Sequence, residues 1–229
     1  MHKKVSEEMN YTLYRELKER IVFLDYEPGR SLAVRELARE FGVSATPIRE
    51  ALIRLEMEGL ILSTRNKGAF VSEVGFNEVK DLFEARLHMV RIISKLAALR
   101  IRPEELRKMR TLLYSLPEDA SWKDTVKLDD KLHEVINVAT GNKILEELAE
   151  NIRSRWTRLW LFIKEPLVYA KMELKDFEKA LPAFEAHDAE KCCAILEGHV
   201  LNFASNIQNS LLETEFVSRI GAGKERLDS

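Results

Sequence analysis

The segment from Pro28 to Val71 constrains this chain more than any other, because its third helix is two-sided. Ser44 can cap that helix, and Pro47 sits in its first turn, where a missing N–H does little harm. Ile48, Ala51, Leu52 and Leu55 fall on one side, while Ala45, Thr46 and Arg49 project from the other. A helix anchored by one face and free on the opposite face is what reading base edges in a major groove demands.

The flanking pattern completes a small unit. Leu13, Leu17, Ile21 and Leu24 repeat at helical spacing, which predicts an amphipathic helix over 7–24. Pro28-Gly29 breaks it. Val34, Leu37, Ala38 and Phe41 mark a second, short helix with Arg35 and Arg39 outward, and Gly42 ends it in a positive-φ position. After Gly59, Leu60–Thr64 and Ala69–Ser72 read as two strands around Arg65-Asn66-Lys67-Gly68, a hairpin or wing. The side chains and backbone expected to meet DNA are Arg35, Ser44, Thr46, Arg49, Arg65, Lys67 and Gly68. An arginine at the start of such a helix can hold guanine through two hydrogen bonds, worth roughly 1–3 kcal/mol of discrimination. A wing lysine meets phosphate and adds salt-sensitive affinity without sequence preference.

With 229 residues the chain has room for two modest domains, and a 45% hydrophobic share supports real cores. Its net charge of −2 excludes a generally basic nucleic-acid binder, so DNA affinity must come from a local patch. No apolar run approaches membrane-spanning length and the start is polar, so a cytoplasmic protein is expected. Cys192 and Cys193 are adjacent within a helical pattern and read as reduced packing residues.

Beyond residue 75 the spacing predicts six helices, over 76–100, 103–115, 121–139, 143–164, 168–184 and 188–212. The fold class is therefore mainly α: a winged helix-turn-helix over 1–74, an antiparallel all-helical bundle over 75–212, and a polar tail over 213–229. Several polar groups fall on apolar stripes. Arg86 lies between Phe83 and Val90 and needs an anionic partner, either internal or on a ligand. Asp129 and His133 stand one turn apart, as a metal-holding pair or a plain hydrogen-bonded one. His199 shares a stripe with Leu196, Val200 and Phe203, the ordinary setting of a core histidine. Arg155 falls on the stripe of Leu148, Ile152 and Leu159, beside Trp156 and Trp160, which can wall a pocket or fill the core. His88 and His187 read as surface residues.

Taken together, Pro28-Gly29-x-x-Leu32, Glu36-Leu37-Ala38, Phe41-Gly42-Val43-Ser44, Thr46-Pro47-Ile48-Arg49-Glu50-Ala51-Leu52, Glu58-Gly59-Leu60 and Lys67-Gly68-Ala69 resemble the GntR family of bacterial transcriptional regulators. The resemblance implies that Arg35, Arg49 and Gly68 meet DNA; where the family often has arginine, this chain has Ala45. Leu82-Phe83-Glu84-Ala85-Arg86-Leu87, Asp129-x-x-x-His133, Gly141-Asn142 and Asp188-Ala189-Glu190 leading to His199 are similar to the effector (FCD) domain of the family's FadR-like branch. That likeness implies a divalent metal (zinc, nickel or manganese) on Asp129, His133 and His199, with a small organic acid beside it; Arg86, Arg155 and Trp156, placed by their stripes, are its expected contacts. A further histidine ligand falls where this chain has Phe177, which cannot donate to a metal.

The expectation is a homodimeric repressor on a palindromic double-stranded DNA operator, controlled by a small carboxylate, with no enzymatic activity. Its alternatives are a metal-free acyl-ligand sensor of the same architecture and a metal-dependent hydrolase bundle.

Overall fold

The computed structural model describes residues 2–65, 68–74, 76–117, 119–163, 167–203 and 205. By internal contact the chain divides into two units. One runs to Val79 and takes in Ser154–Phe162; the other begins at Lys80 and holds the remaining described residues.

In the first unit, α1 (His2–Val22) packs on α3 (Ala45–Met57), with α2 (Val34–Phe41) between them in sequence. Leu17, Ile21, Ile48 and Leu55 have no exposed surface, so the apolar stripes of α1 and α3 are the core of this unit. Polar contacts fasten the far end of α3. Lys18 Nζ meets Glu58 at 2.9 Å, Tyr14 donates its hydroxyl to the same carboxylate, and the Arg54 guanidinium lies 3.9 Å from the centre of the Tyr14 ring. Helix α1 stops two residues short of the expected end. Leu24 leaves the helix at φ 60, and Val22, Phe23 and Tyr26 fill the core around it. Gly42 takes φ 65 after α2, as the sequence required.

Strands β1 (Ile61–Thr64) and β2 (Gly68–Val71) form the hairpin, antiparallel with Ile61 opposite Val71 and Thr64 opposite Gly68. β1 starts one residue later than expected and ends where expected, and β2 is displaced by one residue at both ends. The segment after Pro28 does more than break a helix. Gly29 N–H donates to Val71 O at 2.9 Å and Leu32 N–H to Ala69 O at 2.8 Å, so it borders β2 on its other edge. Those are main-chain bonds, which leave little trace in side-chain pattern.

The second unit is helical: α4 (Phe76–Arg100), α5 (Pro103–Leu113), α6 (Trp122–Ala139), α7 (Lys143–Ile163), α8 (Leu167–Glu185) and α9 (residues 189–203). The starts of α4, α5 and α7 fall where spacing placed them. Ser121 caps α6 in a reciprocal pair with Asp124, and Asn142 Oδ1 accepts the Ile144 N–H at 3.1 Å to start α7. Asp188 Oδ1 caps α9 by accepting from Lys191 N at 3.0 Å. Leu132 and Ile136 of α6, Phe177 and Phe184 of α8, and Leu196 and Val200 of α9 make the core. Both cysteines are free and buried. Among the described residues no helix is long and apolar enough to cross a membrane. The polar tail expected over 213–229 lies outside the described residues.

Leu55→Ala should lower the free energy of unfolding by about 2–5 kcal/mol, because it opens a cavity at a fully enclosed position. Arg49→Ala, on the opposite face, should change it by less than about 0.5 kcal/mol. Urea titration of both variants checks this, and equal midpoints would contradict the two-sided reading of α3.

Candidate functional site

The outward face of α3 carries Thr46 and Arg49, both exposed, with Ser44 exposed at its start. Ser44 occupies the N-cap position in an extended conformation, yet its side chain makes no capping bond. The expected N-cap position therefore holds, while the expected side-chain capping bond is absent. Two other arginines of this unit are committed, Arg20 to Glu16 and Glu40 and Arg54 to Tyr14. Arg35, Arg49 and Arg65 are exposed and form no ion pair among the described residues. Cations without an internal partner are the ones a phosphate or a base edge can recruit. Gly68 stands exposed at φ 92, a left-handed conformation that glycine adopts without strain. Lys67 lies outside the described residues.

In the helical unit, Asp129, His133 and His199 come together from α6 and α9. One donor atom from each lies within 4.8 Å of the others, and all three residues are buried. His133 Nε2 is 3.8 Å from Asp129 Oδ2, and His199 Nε2 is 3.6 Å from Asp129 Oδ1. The other nitrogen of His199, Nδ1, is 3.7 Å from Asp176 Oδ2. Arg86 of α4 donates from Nη2 to His133 Nε2 at 2.9 Å. A guanidinium cannot accept, so His133 offers a lone pair there and is neutral. Burial, and then the nearby Arg86 charge, hold the His133 pKa well below its ordinary value. Burial raises that of Asp129, against the pull of His199 and Arg86. Burial likewise pushes Asp176 upward, but hydrogen bonds from His199 and Lys179 leave its pKa lowered.

Phe177 occupies the side of this cluster where a histidine ligand was expected. Its ring centre is 5.0 Å from that of His133 and 5.0 Å from that of His199. One carboxylate and two imidazoles suit a divalent metal with open positions. Asp129 Oδ1 is buried without a hydrogen-bond partner, which fits an acceptor built for a cation. To ligate, His133 must release the Arg86 N–H.

A cavity opens beside the cluster. Arg86, His133, Asn137 and Arg153 supply its polar wall, and Met89, Ile136 and Leu196 part of its apolar one. Arg155 and Trp156, expected to line it, do not. Of the stripe to which Arg155 was assigned, Ile152 lines the cavity but Leu148 is 52% exposed; Ala149 and Arg153 are the other α7 residues on the cavity wall. Arg155 instead approaches Gly59, its guanidinium carbon 3.6 Å from where a Cβ would stand, and Trp156 is buried. Arg153, missed in the sequence, pairs with Asp130 and Glu150. The adjacent acids Glu146, Glu147 and Glu150 made α7 look like a solvated face there, which concealed it.

Residues 10–71 match the family described as bacterial regulatory proteins, gntR family, and residues 81–202 match the FCD domain. The Nta operon transcriptional regulator of Aminobacter aminovorans is 33% identical over 138 residues, covering 57% of this chain and 66% of that protein. The chain thus spans just under two thirds of that relative's length. The transcriptional repressor RspR of Escherichia coli is 22% identical over 203 residues, covering 87% of this chain and 89% of its own. The solved structure of E. coli McbR/YncC has the same fold, with a TM-score of 0.78 at 22% identity over 88% of this chain and 98% of that one.

A neutral, enclosed His133 makes stability fall in acid. In the unfolded chain this imidazole takes up a proton near 6.5, whereas the folded one resists. The folded state therefore loses ground as pH drops below that value, by at most about 1.4 kcal/mol per pH unit. Metal-stripped protein should melt progressively lower between pH 7 and pH 5.5, and His133→Gln should flatten the trend. Parallel curves for the two proteins would contradict the assignment.

Proposed function

This chain belongs to the GntR family of bacterial regulatory proteins and carries an FCD domain, and on that footing we propose that it is a homodimeric repressor released from its operator by a small carboxylate. It is a transcriptional regulator and not an enzyme, so the hydrolytic alternative falls away. The observation that carries the proposal is the division of α3. Ile48, Ala51, Leu52 and Leu55 are buried, and Arg49 stands exposed on the other side. In this reading Arg49 and Thr46 meet base edges, and Arg35, Ser44, Arg65, Lys67 and Gly68 meet the phosphate backbone. Two copies related by a two-fold axis match a palindromic operator. Exposed Ile92 and Leu99, seven residues apart on α4, supply an apolar surface suited to such pairing.

The effector's carboxylate is assigned to Arg86, with Arg153 taking the place that sequence gave to Arg155 and Trp156. Its apolar part lies against Met89, Ile136 and Leu196. Asp129, His133 and His199 would hold a divalent metal. Such an ion supplies positive charge and an open coordination position toward the carboxylate. Release follows if the effector favours a geometry in which the two reading helices no longer fit adjacent half-sites. The 2.9 Å contact of Arg86 with His133 Nε2, together with the Phe177 ring, favours a second reading in which the guanidinium alone receives the carboxylate.

Arg49→Ala should weaken specific operator binding about 10- to 100-fold, the loss of one bidentate base contact, while dimer and fold persist. A footprint equal to that of the wild type would reject the role. Elemental analysis of protein purified without chelator should find metal that falls on His133→Ala. Wild-type protein free of metal would leave the second reading standing.

A further inference from the structure

The outward side of α3 carries an apolar residue that the core does not employ. Ile53 is 57% exposed, and Met57, one turn on, is 77% exposed. A single apolar residue at a surface is ordinary. The position of this one is informative. A helix turns about 100° per residue, so Thr46, Arg49 and Ile53 fall within an arc of about 60°. That arc lies across the helix from Ile48, Ala51, Leu52 and Leu55, which are buried.

Both flanks of this ridge are occupied. On one, the Arg54 guanidinium lies 3.9 Å from the centre of the Tyr14 ring and 5.6 Å from that of Tyr11. Asn10 donates to Glu50 Oε2 at 3.0 Å on the same flank, so α1 runs along it and holds that carboxylate toward itself. On the other flank Glu56 Oε1 accepts the Ser63 N–H at 3.1 Å, which brings β1 alongside. Between them Thr46, Arg49 and Ile53 stand exposed. Arg49 and Ile53 are separated by about 6 Å along the axis, roughly two base-pair steps of about 3.4 Å.

An isoleucine side chain can neither donate nor accept a hydrogen bond. At an exposed helix position it is also a poorer helix former than lysine or glutamate. In a major groove the apolar mark on a base edge is the C5-methyl group of thymine. We propose that Ile53 is a specificity-determining residue that reads thymine, its side chain packing on the C5-methyl group of a base about two steps from the pair that Arg49 contacts. This rests on the reading of α3 as the helix that enters the groove. Arg49 then selects guanine through hydrogen bonds and Ile53 selects thymine through apolar contact, so one ridge carries two kinds of recognition.

The probe is a duplex that the wild type selects from a random pool, remade with each thymine in turn replaced by deoxyuridine, which lacks only the methyl group. Within a half-site one replacement should weaken wild-type binding about three- to fivefold, the worth of one buried methyl group. Ile53→Ala should bind the thymine duplex weaker by at least about that factor and should not distinguish deoxyuridine at that position. Its urea midpoint should stay near that of the wild type, because the residue is at the surface. Ile53→Gln, polar and of similar length, should lose the discrimination as well. No sensitive position in the wild type, or undiminished sensitivity in Ile53→Ala, overturns the proposal and leaves the regulator reading intact. Undiminished sensitivity together with loss of the dimer in sedimentation assigns Ile53 to contact with a second copy of the chain and likewise overturns it. A wild type that selects no duplex overturns the proposal and the regulator reading together.

Discussion

Four side chains on one face of α3 decide what its other face can do. Ile48, Ala51, Leu52 and Leu55 are enclosed against the stripe of α1, and that burial fixes the rotation of the helix about its own axis. Arg49 and Thr46 face outward because those four cannot. Three of the unit's other arginines meet neighbouring side chains. Arg20 meets Glu16 and Glu40, Arg54 lies on Tyr14, and Arg30 lies over Tyr26. A chain with net charge −2 thereby keeps a small local set of uncommitted arginines. Affinity for a polyanion then depends on where charge is left unpaired.

The helical unit handles charge in the opposite way. It encloses Arg86, Asp129, His133 and His199 in an apolar core, where each must be answered by the others. Burial keeps His133 neutral, and neutrality lets it accept from Arg86. Phe177 packs edge-on against both imidazoles and reduces the polar demand of the cluster. The cavity beside these groups has a cationic end and an apolar wall, a division that matches a carboxylate with a hydrocarbon body.

Most of this architecture could be read from residue spacing. Helical periodicity located every helix, because each buries one stripe, whereas the joining of Asp129, His133 and His199 was implied by the resemblance to the FCD domain, since the stripes alone read His199 as a core histidine. What escaped was set by tertiary context. Arg153 sits among glutamates that look solvent-facing, while Arg155 sits on a stripe whose Leu148 turned out to be exposed. Leu24 fits the periodicity of α1 but lies beyond its end. The pairing of the segment after Pro28 with β2 is carried by main-chain hydrogen bonds, to which side-chain patterns are blind. Ser44 occupies the capping position without a side-chain bond there.

The winged unit is not one contiguous stretch of chain. Ser154–Phe162, with the enclosed Trp156 and Trp160, completes it from far downstream. A ribosome releasing the first eighty residues has therefore not yet delivered all of this unit's interior. Closing it requires a contact between residues 72 and 158, a separation of 86 positions, so its last step of folding waits on the helices in between. An excised winged fragment would likewise leave Ser72 without its guanidinium and expose the surface that α7 covers.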